Sequence, residues 1–307
     1  MPLPLSYPGL KCVLENLEAI KRVRIIGRSP GLQKIDKLIP LRLKEFSIVC
    51  EEMTINKLRI GYGFDKDKVK FEVKGKIFRR LRGESREDKM KKFVNFFFCG
   101  RTIIHVHRLS WCDRMFQNFL PADMKFRVNS LSAFSFSFYT AIPYIDPRSF
   151  PLKTLSTTIA NTSTNDDHVV KSAETLILFL LNDQTVTVED LKKLNNKTVA
   201  FERFNYSRID IIPLIQYYIE TKKATGTTFT ISTGNEILIN QILGNFKLAF
   251  GEFQCDLNGV NERFIPGSSK FSIPINNESR IQVYAIDVPE QRRYNIIVKP
   301  VSEVSRL

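Results

Sequence analysis

Short runs with strand character start near Ile103, Leu131, Leu155, Thr175, Thr198 and Thr227, with helix-like or loop stretches between them, at spacings of 28, 24, 20, 23 and 29 residues. Such a recurrence overlaps the period of roughly 20–29 residues of leucine-rich-repeat solenoids, in which each unit supplies one strand and one return segment. The strict LxxLxL pattern is missing. Leu131-Ser132-Ala133-Phe134-Ser135-Phe136 comes nearest, with Phe at two of the Leu positions. Two architectures satisfy this spacing: a degenerate repeat, and an irregular α+β sheet packed against helices.

The residues before this region read differently. In residues 8–45, Leu10, Val13, Leu14 and Leu17 recur at helical spacing, and Gly27 and Pro30 divide the stretch into two or three short helices. Thr54 to Ile60 and Val69 to Val73 alternate with period two and read as strands, with Gly75 as a turn. Glu84 to Lys92 is highly charged and runs into Phe93 to Phe98, which predicts a helix with a buried far end. Further on, Thr187 with Asp190 and Ser207 with Asp210 match the [ST]-x-x-[DE] capping pattern. Pro213 is tolerated only in a first turn, so the second of these helices is expected from about Asp210 to Lys222. Another apolar stripe lies between Ile237 and Phe250. Phe271 to Ile275, Arg280 to Ile286 and Tyr294 to Val298 read as three terminal strands, suited to capping a solenoid end.

Of the 307 residues, 43% are apolar and 25% charged, the balance of a folded globular protein rather than of a disordered or collagen-like chain. The net charge of +14 is unevenly placed. Residues 57–127 hold 19 basic against 8 acidic residues, whereas residues 128–307 hold 18 of each. The opening Met1 to Pro8 lacks the basic region and apolar stretch of a secretory signal, and no run is long enough to span a bilayer. A cytoplasmic or nuclear location without membrane contact is therefore expected. Five scattered cysteines without a CxxC pair read as reduced, mostly buried thiols, and the sequons at Asn161, Asn196, Asn205 and Asn277 as loop or surface asparagines.

No catalytic, cofactor or metal residues emerge from the motifs. His105-Val106-His107 would point two imidazoles to one face of a strand near Cys99 and Cys112, but the spacing matches no zinc pattern. Gly61-Tyr62-Gly63 lacks the remainder of a nucleotide loop, and no GxSxG, HExxH or kinase signature occurs. The chain is not expected to be an enzyme. Lys74, Lys76, Arg79, Arg80 and Arg82, interleaved with Phe71 and Phe78, form a candidate basic patch. Its three readings are a solvated face, attraction to an acidic protein surface, and phosphate neutralisation with base stacking.

The run from Leu3-Pro4-Leu5-Ser6-Tyr7-Pro8 to Leu17, then Arg28 to Leu32 and Ile39 to Leu43, resembles the opening of the nematode F-box C-type family. Thr54 to Leu58, Asp146-Pro147-Arg148-Ser149-Phe150-Pro151-Leu152, Ser172 to Leu176, Glu189 to Asn195 and Ser272 to Arg280 are similar to its recurring blocks. Tyr7-Pro8 stands where the general F-box pattern has Leu-Pro, and the step to Val13-Leu14 is shorter. The resemblance implies a helical F-box-like segment at 1–50 that binds a Skp-type adaptor of a cullin-RING ubiquitin ligase. Its anchor face would be Leu5, Pro8, Leu10, Val13, Leu14 and Leu17; packing of these residues as ordinary core is the alternative. It further implies a nematode-specific F-box-associated domain of unknown function at 51–307, repeat-like from about 103, that selects a protein substrate. The expected fold class is α+β, a short helical segment followed by a strand/helix repeat-like domain. A ligase-independent protein- or RNA-binding scaffold using segment 57–127 is the alternative function.

Overall fold

The computed structural model describes residues 7–62, 68–73, 75–81, 84–101, 103–113, 115–134, 136–158, 167–181, 183–203, 207–256 and 262–302. The chain divides into two compact units, Met1–Leu152 and Lys153–Leu307. Both mix helices with a mixed parallel and antiparallel sheet.

The first unit opens with three short helices, α1 (Tyr7–Asn16), α2 (Ala19–Ile26) and α3 (Pro30–Lys37). The Glu18 carboxylate caps α2 by accepting from the amides of Ile20 (3.0 Å) and Lys21 (3.3 Å), and Pro30 occupies the first turn of α3, where a missing amide proton costs nothing. Helical character does not continue to residue 45 as the sequence suggested. β1 (Leu41–Val49) takes over because Leu41 and Leu43, then Phe46 and Ile48, alternate with exposed or half-buried residues.

What ends the helical segment is a buried ionic cluster. Arg22 Nε donates to Asp36 Oδ1 at 2.5 Å, and Arg101 Nη2 pairs with Asp36 Oδ2, all three side chains being at most 5% exposed. Arg22 also donates to the carbonyls of Leu14 (3.2 Å), Asp36 (3.0 Å), Ile39 (2.9 Å) and Pro40 (2.9 Å). Arg101 donates to those of Asp36 (2.7 Å) and Ile39 (2.6 Å). The two guanidiniums thus gather carbonyls at and just beyond the end of α3, and Arg22 adds that of Leu14 from α1. Burial holds the Arg101 guanidinium below its usual pKa, opposed by Asp36 and assisted by Arg22.

β1 continues into the antiparallel strands β2 (Glu52–Ile55), β3 (Leu58–Gly61), β4 (Lys68–Val73) and β5 (Lys76–Leu81). Next come α4 (Arg86–Phe97), β6 (Ile103–Trp111), β7 (Lys125–Ser132) and α5 (Phe136–Ala141). The strand order is β7-β6-β1-β2-β3-β4-β5, with β7, β6 and β1 parallel. Leu131, expected at a strand start, lies near the end of β7, whose first half was obscured by Lys125 and Arg127. Burial alternation slips by one residue in all three parallel strands, at Lys44–Glu45, His107–Arg108 and Asn129–Ser130. The register stays one-to-one through this step, so the three strands change face together and keep their apolar side chains on the core face. Asn56, in the left-handed region at φ 53° in the β2–β3 turn, pins the step in β1. Its Oδ1 accepts from the amides of Lys44 (2.8 Å) and Glu45 (3.1 Å), and its Nδ2 donates to Glu18 (3.0 Å).

The core here is aromatic. Phe46 meets Phe98, Phe126 and Phe116 at 4.9, 5.6 and 6.0 Å between ring centroids, and Trp111 meets Phe116 at 5.3 Å. Such pairs contribute about 0.5–1.5 kcal/mol each beyond area burial. The Asp146 to Leu152 block straps this core. Asp146 accepts from Arg127 (2.8 and 3.0 Å) and from the Arg148 amide (3.0 Å), Ser149 Oγ accepts from the Val128 amide (3.0 Å), and Leu152 is fully buried. Burial acts to raise the Asp146 pKa, but the Arg148 amide and Arg127 outweigh it, so the carboxyl lies below its usual range.

The second unit comprises β8 (Thr154–Thr158), α6 (His168–Ser172), β9 (Thr175–Leu180), β10 (Thr185–Val186), α7 (Val188–Lys192), β11 (Thr198–Arg203), β12 (Arg208–Ile209), α8 (Ile211–Thr221) and β13 (Thr228–Thr233). It ends with α9 (Glu236–Phe250), β14 (Phe271–Pro274), β15 (Ser279–Val288) and β16 (Arg293–Ser302). Strands β8, β9, β11 and β13 lie side by side, parallel and in chain order. Thr154, Thr175, Thr198 and Thr228 stand level, followed by Leu155, Leu176, Val199 and Phe229. The second row is buried, whereas the row Ser156, Ile177, Ala200 and Thr230 is half exposed. The return segments differ: α6 in the first, β10 and α7 in the second, β12 and α8 in the third. The three terminal strands add antiparallel to this run, β16 pairing with β13.

The capping box at Thr187 and Asp190 forms, with amide bonds of 3.1 and 3.3 Å. The one expected at Ser207 does not. Asp210 holds the N-cap position of α8, while Arg208 and Ile209 pair with Thr185 and Val186. Asn196 is not a surface asparagine: it is 2% exposed, and its Nδ2 donates to the carbonyls of Val170 (2.9 Å) and Ala173 (2.7 Å). Nor are the thiols buried as expected, since Cys12 and Cys50 are exposed and the other three half-buried, none of them in a disulfide.

Two predictions follow from the first unit's polar contacts. Asp36→Ala leaves two buried guanidiniums facing each other and is expected to cost about 3–5 kcal/mol in urea unfolding. A loss below about 1 kcal/mol would mean that the cluster contributes no more than an exposed ion pair. The depressed Asp146 pKa contributes stability that is fully present above the unfolded value of about 3.9 and is lost as pH falls below that value and through the lower folded pKa. Asp146→Asn should therefore be less stable than wild type at neutral pH, with the gap closing below about pH 4. A gap unchanged between neutral and acid melting curves would refute this.

Candidate functional site

β4 and β5 form a hairpin around Gly75, whose φ of 76° is a left-handed conformation that glycine takes without strain. Its register sets Phe71 opposite Phe78. α4 starts at Ser85, whose Oγ accepts from the Asp88 amide at 3.1 Å, with Glu87 and Asp88 favourably placed in the first turn. This helix brings Phe93 to 6.0 Å from Phe71, edge to face, and Phe96 to 5.2 Å from Phe97. Together with α2, these elements enclose an open groove of about 740 Å³. Phe71, Phe78, Phe93 and Phe96 contribute to its apolar wall, and Arg24, Arg79 and Lys92 its cations. Phe78 is 56% and Phe96 47% exposed, uncommonly high for large aromatic rings.

Of the basic patch, Arg79 lines the groove, and Lys76 is an exposed residue at the start of β5. Lys74, Arg82 and the side chain of Arg80 lie outside the described residues. The sequence did not nominate Arg24, which belongs to a segment read as an ordinary helix; Lys92 closes the basic stretch that starts at Lys66 but was not part of the candidate patch. The run Phe93 to Phe98 was the available signal: its far end is buried at Phe97 and Phe98 as expected, but Phe96 turns outward. Lys92 pairs with Glu84 at 2.7 Å.

The expected anchor residues divide. Leu14 is core at 1% exposure, Leu10 and Leu17 are half-buried, and Pro8 and Val13 are exposed, Val13 at 46%. Leu5 lies outside the described residues. The histidines stay on β6. Burial, with Arg42 and Arg127, lowers the His105 pKa, while the His107 ring lies 3.0 Å from the Asn129 amide. Among the described residues no three His, Cys, Asp or Glu side chains gather in a way that could hold a metal ion. None of the described helices is long and apolar enough to cross a membrane.

Residues 85–235 match a domain of unknown function (DUF3557). The matched stretch runs from the N-cap of α4 to the N-cap of α9 and includes the parallel strands β8, β9, β11 and β13. A search of curated proteins and a search of solved structures each find no match. A DUF3557 domain is thus present at residues 85–235 of this chain.

Proposed function

We propose that this protein is a non-catalytic substrate-recognition adaptor of a Skp-cullin-F-box ubiquitin ligase, acting in the cytoplasm or nucleus. On this reading α1 meets a Skp-type adaptor protein, the remainder of the chain selects a protein substrate, and the two ends raise the local concentration of substrate at the ligase. The observation that carries it is Val13, an aliphatic side chain 46% exposed on α1, with half-buried Leu10 and Leu17 three residues before and four after it. An apolar strip on a helix fixed from beneath by Leu14 suits a partner that covers it. The similarity of residues 3–43 to the nematode F-box C-type family supports the same reading. The level rows of β8, β9, β11 and β13 support a repeat-like substrate-binding part. A second reading, a ligase-independent protein- or RNA-binding scaffold, is favoured by the groove and its cations.

The test is a pull-down of the full chain and of Val13→Asp against a panel of Skp-type adaptors, with circular dichroism on both. Leu14→Asp serves only as an unfolding control, because Leu14 is core. Wild type is expected to bind at micromolar concentration, and folded Val13→Asp at least about tenfold more weakly, or 1.4 kcal/mol. If no adaptor binds wild type at that concentration, the ligase reading fails and the scaffold reading takes its place.

A further inference from the structure

The groove between α2, α4 and the β4–β5 hairpin differs in character from the strip on α1. Its wall is apolar on every side, with Ile20 and Val23 from α2, Phe93 and Phe96 from α4, and Phe71 and Phe78 from the hairpin. The cations are distributed just as widely, Arg24 on α2, Arg79 on β5 and Lys92 on α4, and no described residue lining the groove carries a carboxylate. Glu84, outside that lining, engages Lys92.

Beside the groove runs β5, which among the described residues pairs only with β4 and is the last strand of its sheet. Ile77 and Phe78 are 50% and 56% exposed on this edge. An edge with unpaired backbone donors and acceptors and exposed apolar side chains is a surface on which another polypeptide can lie.

We propose that this groove binds an acidic, amphipathic segment of a partner protein, whose apolar side chains enter between Phe78 and Phe96 and whose carboxylates meet Arg24 and Arg79. The charge selects the sign of the partner: a basic segment would meet like charges at Arg24 and Arg79, and like-charge juxtaposition discriminates strongly between partners. The apolar wall favours protein over nucleic acid, since its aliphatic part, Ile20 and Val23 with Leu58 and Val73, gives bases no ring to stack on but can bury the apolar side chains of a peptide. The proposal is independent of α1, so adaptor binding and segment binding can fail separately.

Fluorescence anisotropy of the full chain tests it, with a short fluorescein-labelled peptide alternating Glu or Asp with Leu and Phe as probe. The same peptide with Lys in place of the acids, and a labelled oligouridine RNA, serve as competitors. The acidic peptide is expected to bind best. Phe78→Ser and Phe96→Ser, on two different elements and both at exposed positions, should each weaken it at least about tenfold. Arg79→Glu should weaken it and strengthen the Lys peptide, a reversal that mere loss of structure cannot produce. Leu248→Ser, at an exposed position on α9 of the second unit, should leave it unchanged. Equal binding of the acidic and Lys peptides, tighter binding of RNA, or indifference to all three groove substitutions would overturn the proposal. So would self-association of the chain that Phe78→Ser abolishes, because the groove would then be filled by a second copy.

Discussion

Two arginines around one aspartate hold the first unit together. Arg22, Asp36 and Arg101 come from α2, the last turn of α3 and the loop after α4, elements far apart in sequence. Two buried cations against one anion would be a poor arrangement by Coulomb attraction alone, since the surplus charge has lost its water. The carbonyls of Leu14, Asp36, Ile39 and Pro40 make up the difference. Each is a dipole with its negative end turned inward, and those of Leu14 and Asp36 lie in the last turns of α1 and α3, where a helix terminus already concentrates partial negative charge. The cluster is thus as much a C-terminal cap for α3 as an ion pair. It also fixes where β1 may begin, immediately after Pro40.

The clamp reaches the groove through α2. Arg22 points into the cluster while its neighbours Val23 and Arg24 line the groove. On a helix, adjacent residues lie on different faces, so one short element anchors the fold with one face and offers a surface with another. A wall held this way is ordered before any partner arrives, and the ordering cost of binding falls on the partner. By linkage, a ligand that fills the groove stabilises the clamp: at 100 times its Kd the gain is about 2.7 kcal/mol.

Much of the architecture was legible because local signals agreed with it. The starts of β8, β9, β11 and β13 fell within one residue of those read from the pattern, as did both ends of α8, since Thr, Val and Phe in period two and a proline confined to a first turn are local constraints. The failures have non-local causes. The start of β7 was hidden because Lys125 and Arg127 are held by Pro143 and Asp146, partners that no window around the strand contains. Ser207 matched a capping pattern, yet β12 needed its neighbours for pairing with β10. Asn196 could not be recognised as buried, because the carbonyls it serves lie 23 and 26 residues away. For the groove, the aromatic run and one of its cations were visible, but only folding brings α2 to them.

The level strands of the second unit have a consequence for how such a chain can diverge. Its core row, Leu155, Leu176, Val199 and Phe229, fixes the register, and a one-residue slip would turn that row to the wrong face. The outward row, Ser156, Ile177, Ala200 and Thr230, carries no such obligation, being half in water already. Substitutions there change surface chemistry with little effect on folding, and length changes in the return segments add only slowly to loop-closure entropy. Stability and surface identity are therefore written on alternate residues of the same four strands, so a lineage can rewrite one while leaving the other untouched.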